Sequence, residues 1–229
     1  MNERIRQLRK KSLEAINCIS AERALLVTEF YQSGVAQGAS VPVQRALAFQ
    51  YILENKFICI NEGELIVGER GPAPKATPTY PEISLHQLKD LEILHNRAKV
   101  SFQSDAATRK AYEEIIIPYW TGKTNRDRIF ANMSDEWVAA YEAGIFTEFQ
   151  EQRAPGHTVA GDKIYRKGMV NIIDDIHEAI SQLDFINDPL AYDKREELKA
   201  MEISARAIIR WAERLAVKLE PLAATENNL

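Results

Sequence analysis

In "PVQRALAFQYILENKFICINEGELIVGERG", residues 42–71, one kind of patterning gives way to another. Pro42 suits the first turn of a helix, where its missing N–H would have no partner and its φ is already helical. "VQRALAFQYILEN" then runs to Asn55 without a breaker. After it, "KFICINEGELIVGER" clusters Ile, Val and Phe beside Asn and Gly. That composition predicts two short β-rich runs around the turn "NEGE". The local reading is a helix followed by a small β element.

Outward from this point the signal is helical. Residues 3–16 place Ile5, Leu8, Leu13 and Ile16 on one face, and Ser20 can cap a helix through "AERALLVTEFYQ". "GVAQGAS" reads as a loop. On the other side, prolines at 72, 74, 78 and 81 exclude a helix or a central strand from Gly71 to Ser84. Tyr80 and Ile83 suit an ordered surface loop that packs on something larger. Ser84 is expected to cap "LHQLKDLEILHNR", and Pro118 to end or kink "DAATRKAYEEIIIPYW". Thr124 and Asp127 have capping-box spacing. "SDEWVAAYEAGIFTEFQEQ" reads as a helix capped by Ser134, with Trp137, Ala140, Tyr141 and Gly144 on its apolar stripe. A short extended run, "HTVAGDK", leads into the helical "IYRKGMVNIIDDIHEAISQL". A last helix follows Asp188–Pro189 through "KREELKAMEISARAIIRWAERLAVKL". The fold class expected is mainly α with a small β element.

Composition narrows function by exclusion. With 45% hydrophobic and 27% charged residues and a net charge of -4, the chain has a soluble globular balance and lacks the basic surplus of a nucleic-acid binder. The basic run "RIRQLRKK" is expected to be a solvated helix face. No stretch approaches the ~20 apolar residues of a membrane span, and no apolar core of a signal peptide opens the chain. A cytoplasmic protein that binds neither nucleic acid nor membrane is expected. Cys18 and Cys59 are isolated, without a CxxC or a histidine at ligand spacing. They read as small buried hydrophobes rather than a metal site or a disulfide.

Phosphate-binding glycine loops, HExxH and GxSxG are all missing from the 229 residues. His86 and His177 fall in helical patterns and His95 near a helix end, which suits surface or capping histidines. The pairs Asp174/Asp175 and Glu113/Glu114 read as solvated helix faces. His157 differs. In "QRAPGHTV" it follows a Pro–Gly break at once, as a site residue aimed by its backbone would, or a hinge residue. Phe149 lies eight residues earlier and can reach the same side of the turn.

Several segments, in order, resemble the N-terminal part of the glycyl radical enzymes, the pyruvate formate-lyase-like family. They are "ISAERALLVTEFY" with Glu22 and Arg23, the quoted stretch with its "ELIVG", "TPTYPEIS" and "IIIPYWTGKTNRDRI". "YEAGIFTEFQEQRAPGHTVAGDKIYRKG" is most similar to the hydroxyproline dehydratase branch. The resemblance implies that residues 1–229 are the N-terminal portion of one domain, the helical part of a ten-stranded α/β barrel, with no separate second domain. It implies a lyase that removes water from trans-4-hydroxy-L-proline, with Phe149 and His157 bordering the pocket. There an aromatic wall packs the pyrrolidine ring and an imidazole orients a polar substituent. The alternative expectation is a non-catalytic helical interaction module derived from this fold.

The family's chemistry, as the resemblance implies it, needs a cysteine in a Gly-Cys-[Val/Thr]-Glu loop and a radical-storing glycine in an Arg-Val-x-Gly-[Phe/Tyr] loop. Neither occurs in the 229 residues. The chain by itself is therefore expected to carry no catalytic residue and to bind no cofactor. The complete enzyme would take a glycyl radical from an S-adenosylmethionine iron–sulfur activating enzyme. Its partners would be an amino acid-like substrate, that activating enzyme and, in a homodimer, a second copy.

Overall fold

The computed structural model describes residues 2–64, 67–146 and 161–225. It is mostly helical, with helices α1 (Glu3–Glu14), α2 (Glu22–Ser33), α3 (Val41–Asn55), α4 (Leu88–Asn96) and α5 (Ala106–Ala111). Then come α6 (Ile117–Trp120), α7 (Asn125–Phe130), α8 (Asp135–Glu142), α9 (Met169–Ser181) and α10 (Ala191–Thr225). No helix among the described residues is long and apolar enough to cross a membrane. The described residues divide into two compact units. One takes them from Met1–Thr28 and Cys59–Gly156, the other from Glu29–Ile58 and His157–Leu229.

In the first unit the β element lies elsewhere than expected. Strands β1 (Cys18–Ser20) and β2 (Ala76–Pro78) pair in parallel, with Cys18 opposite Ala76 and Ser20 opposite Pro78. The described residues of "KFICINEGELIVGER" form no strand. Two carbonyls of the turn there are taken by α1: Arg4 donates to Gly63 O at 2.6 Å, and Lys11 to Glu62 O at 3.4 Å. β-prone composition makes a strand only where a neighbour offers a ladder. The basic face of α1 is thus partly a tether. Its apolar face stays open, with Ile5 and Leu13 exposed.

The core of this unit gathers Ile19, Ala24, Val27, Leu91, Tyr112, Ile116 and Trp120. Pro118 neither ends its helix nor leaves it regular. The five residues Tyr112–Ile116 wind as a π-helix between α5 and α6, because proline supplies no N–H for the preceding turn. This stretch carries Tyr112 and Trp120 inward, where each polar tip finds a partner. Tyr112 Oη donates to Thr79 Oγ1 at 2.6 Å, and Trp120 Nε1 to Thr28 Oγ1 at 2.8 Å. Burial pushes the Tyr112 phenol up to about 12.

Capping explains most boundaries. Ser134 accepts from Trp137 N, and Thr124 and Asp127 close the expected capping box. Ser84 does not cap α4; its N–H bonds back to Tyr80 O at 3.2 Å. The helix starts at Leu88, where Asp90 accepts from the Gln87 N–H at 2.8 Å. Nor does the helical run near Ile164 begin α9. Gly161–Tyr165 form a 3-10 turn, and α9 starts after Gly168.

In the second unit, α10 packs against α3 and α9. Ala200, Ala205 and Ala207 of α10 and Ala46 and Ala48 of α3 are buried, and such small side chains let helices approach closely. Arg214 donates to the carbonyls of Leu53 and Lys56, which the end of α3 leaves without helical partners. A groove of 950 Å³ in this unit has a mainly aliphatic lining, including Phe49, Ile172, Met201 and Ile208.

Candidate functional site

The polar chemistry of the first unit converges on the loop after β2. Arg23 of α2 grips Glu82 through both carboxylate oxygens, at 2.5 and 3.1 Å, and donates to Thr79 O at 3.2 Å. Its guanidinium lies 3.9 Å from the Tyr80 ring centroid. From the other side the start of α7 donates to the same loop, Asn125 N to Glu82 O at 2.9 Å and Arg126 N to Ile83 O at 3.0 Å. The proline-rich segment is therefore ordered by pairing on both flanks.

His86 follows this loop, ahead of α4 rather than inside it. It borders two pockets. One, of 270 Å³, is mostly apolar and includes Ile19, Pro78, Ile83, Leu94 and Phe102. The other, of 460 Å³, is polar and includes Asp90, Thr124, Arg126, Asp127 and Tyr141. Burial lowers the imidazole pKa below its usual value of 6.5, against an upward pull from Asp90. His86 is therefore neutral at pH 7 and offers one donor and one acceptor. The two carboxylates beside it are engaged as caps, so the pocket suits holding a small polar group rather than proton transfer.

The sign of the His86 shift sets a pH dependence. Well above pH 6.5 the imidazole is neutral in both folded and unfolded chains and contributes nothing. Below that value the unfolded chain takes up a proton that the native one resists, so stability falls with pH. Urea unfolding at stepped pH should show the acid-side loss from 6.5 downward shrink in His86→Gln. An unchanged profile would mean that this imidazole titrates normally.

Next to the polar pocket lies an aromatic cluster built from α7 and α8. Trp137 and Tyr141, one helical turn apart, stack with centroids 5.6 Å apart and planes 4° from parallel. Phe130 meets both edge-on, at 5.4 and 5.2 Å. Arg126 covers the Phe130 ring at 4.0 Å and donates to Tyr141 Oη at 3.2 Å. The helix then stops short of its expected length. Gly144 sits at φ 72° as the terminator, not on the apolar stripe. Gly144 N bonds to Tyr141 O and Ile145 N to Ala140 O, both at 3.0 Å, the two bonds of a Schellman turn. That turn sends Phe146 back to within 5.0 Å of Trp137 and 6.3 Å of Tyr141.

The two residues singled out from the sequence, Phe149 and His157, lie outside the described residues. His95 accepts from Ser104 N at 3.2 Å and His177 meets Glu202 at 3.1 Å, both roles of the structural kind expected. Asp174, Asp175, Glu113 and Glu114 are exposed, as expected. Cys18 and Cys59 are half-buried free thiols, less buried than expected. Burial raises both pKa values, with Asp105 adding to Cys18 and Glu69 and Glu64 to Cys59. Neither sits in the loop that radical chemistry requires. Sequence reasoning missed His86 and the Arg126-capped cluster, because both depend on contacts between separate segments. The Trp137–Tyr141 spacing was visible, but it reads equally as an ordinary helix stripe.

Comparison with known proteins covers the whole chain. The family model for pyruvate formate lyase-like proteins matches residues 1–229. Trans-4-hydroxy-L-proline dehydratase of Clostridioides difficile is 47% identical over 226 residues, spanning 99% of this chain and 28% of that relative. The crystal structure of the same dehydratase with trans-4-hydroxy-L-proline bound superposes with a TM-score of 0.92 at 46% identity, over 100% of this chain and 29% of that one. The B12-independent glycerol dehydratase of Clostridium butyricum, with glycerol bound, gives 0.89 at 29% identity over 100% and 29%. A glycyl radical enzyme of Archaeoglobus fulgidus gives 0.82 at 27% identity over 99% and 29%. The fold corresponds to the N-terminal part of these enzymes.

Proposed function

Because the chain belongs to the pyruvate formate lyase-like family, we propose that it is the N-terminal part of a glycyl radical dehydratase acting on trans-4-hydroxy-L-proline. The observation that carries this reading is the 47% identity to a dehydratase of that substrate, against 29% to a glycerol dehydratase of the same fold. The reaction of the complete enzyme is loss of water from hydroxyproline to give a pyrroline carboxylate. The radical, installed by an S-adenosylmethionine iron–sulfur activating enzyme, belongs to loops that the 229 residues do not contain. No step of bond cleavage runs through this chain.

What this chain contributes is a wall of the pocket. Phe149 packs against the pyrrolidine ring, where an aromatic face contributes area with little entropy loss. His157 hydrogen-bonds a polar substituent and fixes its orientation. All the relatives described above are enzymes, which favours this reading over a helical interaction module. In a full-length protein carrying this chain, His157→Ala should lower hydroxyproline turnover by well over tenfold, on the order of 2 kcal/mol of transition-state stabilisation. An unchanged rate would remove His157 from the pocket.

A further inference from the structure

We infer that the polar pocket beside His86 is a binding site for a neutral polyhydroxyl compound, an acyclic polyol or a monosaccharide. Three segments of the first unit form it: the approach to α4 with that helix's first turn, the turn between α6 and α7 with the start of α7, and Tyr141 of α8. At 460 Å³ it falls within the roughly 300–1,000 Å³ of small-molecule sites.

The chemistry of the lining selects the ligand. The half-buried His86 imidazole has no hydrogen-bond partner among the described residues, nor has the Ser84 hydroxyl. Withdrawn polar groups ordinarily find such partners. Tyr141 Oη accepts from Arg126 at 3.2 Å, which leaves its own O–H to donate. Asp127 commits Oδ2 to Thr124 N and Oγ1, at 3.0 and 2.8 Å, and Asp90 commits Oδ2 to Gln87 N at 2.8 Å. The Oδ1 atom of each carboxylate has no partner among the described residues. Donors and acceptors thus face one cavity side by side.

Charge excludes the alternatives. An anion would meet the two carboxylates, Asp90 and Asp127. A cation would approach the Arg126 guanidinium over the Phe130 ring, and would offer no acceptor to Ser84, His86 or Tyr141. A hydroxyl both donates and accepts, so a run of hydroxyls answers the carboxylates and the donors together.

The test is calorimetric titration of xylitol into the full-length, non-activated protein carrying this chain, in a buffer free of polyols. One xylitol should bind per chain, and saturating trans-4-hydroxy-L-proline should not displace it. His86→Phe, which keeps a ring and removes both nitrogens, should weaken binding about fivefold, the scale of one lost neutral hydrogen bond. Tyr141→Phe, which keeps the stack on Trp137, should do the same. No saturable binding, displacement by hydroxyproline, or wild-type affinity in either variant would overturn the inference. If His86→Phe does not fold, Tyr141→Phe decides alone. Hydroxyproline titrated without xylitol reads the substrate proposal separately, and its failure to bind would leave this site standing.

Discussion

Trp120→Ala is expected to remove about 3–5 kcal/mol of stability, enough to unfold a marginal domain. Trp120 is 5% exposed and sits where the π-helical turn delivers it, among Tyr119 and the α2 face. Truncation leaves a large cavity. It also strips Thr28, a fully buried residue, of the indole N–H that donates to its hydroxyl. Thr28 keeps one bond of its own, donating to Ala24 O at 2.6 Å. Trp120→Phe should accordingly lose much less, since it restores most of the packing and forgoes about 1 kcal/mol of hydrogen bonding. Urea unfolding of the two variants separates these contributions. A loss below ~1 kcal/mol in Trp120→Ala would mean the core does not depend on the π-helical turn.

Gly71→Ala should be nearly as damaging, for a different reason. A Cβ at Gly71 would lie 2.6 Å from Ala76 O and 2.7 Å from Ala76 Cβ. Ala76 cannot retreat easily. It is buried, its N–H is bonded to Ala73 O, and it is in register with Cys18 across the two-stranded sheet. Relieving the overlap means displacing β2, at the ~3 kcal/mol upper end of overpacking costs. Gly68→Ala is the control. Nothing lies within 4 Å of its Cβ and its φ is ordinary, so it should be close to neutral. Equal stability for the two variants would contradict the close approach at Gly71.

Features that depend on neighbours in sequence were legible there. Pro42 at the first turn of α3, the Thr124–Asp127 box and the Ser134 cap each involve residues within one turn of each other, and each is formed. Features assembled across the chain were not. β1 and β2 are three residues each and exist because Cys18 meets Ala76, a pairing that propensity cannot foresee. "KFICINEGELIVGER" had the better composition, yet its described residues form no strand, and the carbonyls of Glu62 and Gly63 in its turn accept from α1 instead. Gly144 read as part of a stripe because helix periodicity cannot tell a last turn from a left-handed terminator. His86 looked like a helical surface histidine. It is half-buried between two pockets lined by residues from separate segments, which no local pattern records. The family resemblance, by contrast, rested on several ordered blocks, and it holds over the whole chain.

Substrate choice separates a hydroxyproline dehydratase from a diol dehydratase of the same fold. The full-length protein carrying this chain is activated anaerobically and offered trans-4-hydroxy-L-proline, glycerol and propane-1,2-diol in parallel, and loss of water is followed by mass spectrometry. Hydroxyproline should be converted to a product lighter by one water, with little or no conversion of the two diols. Dehydration of a diol with hydroxyproline left unchanged would contradict the hydroxyproline assignment.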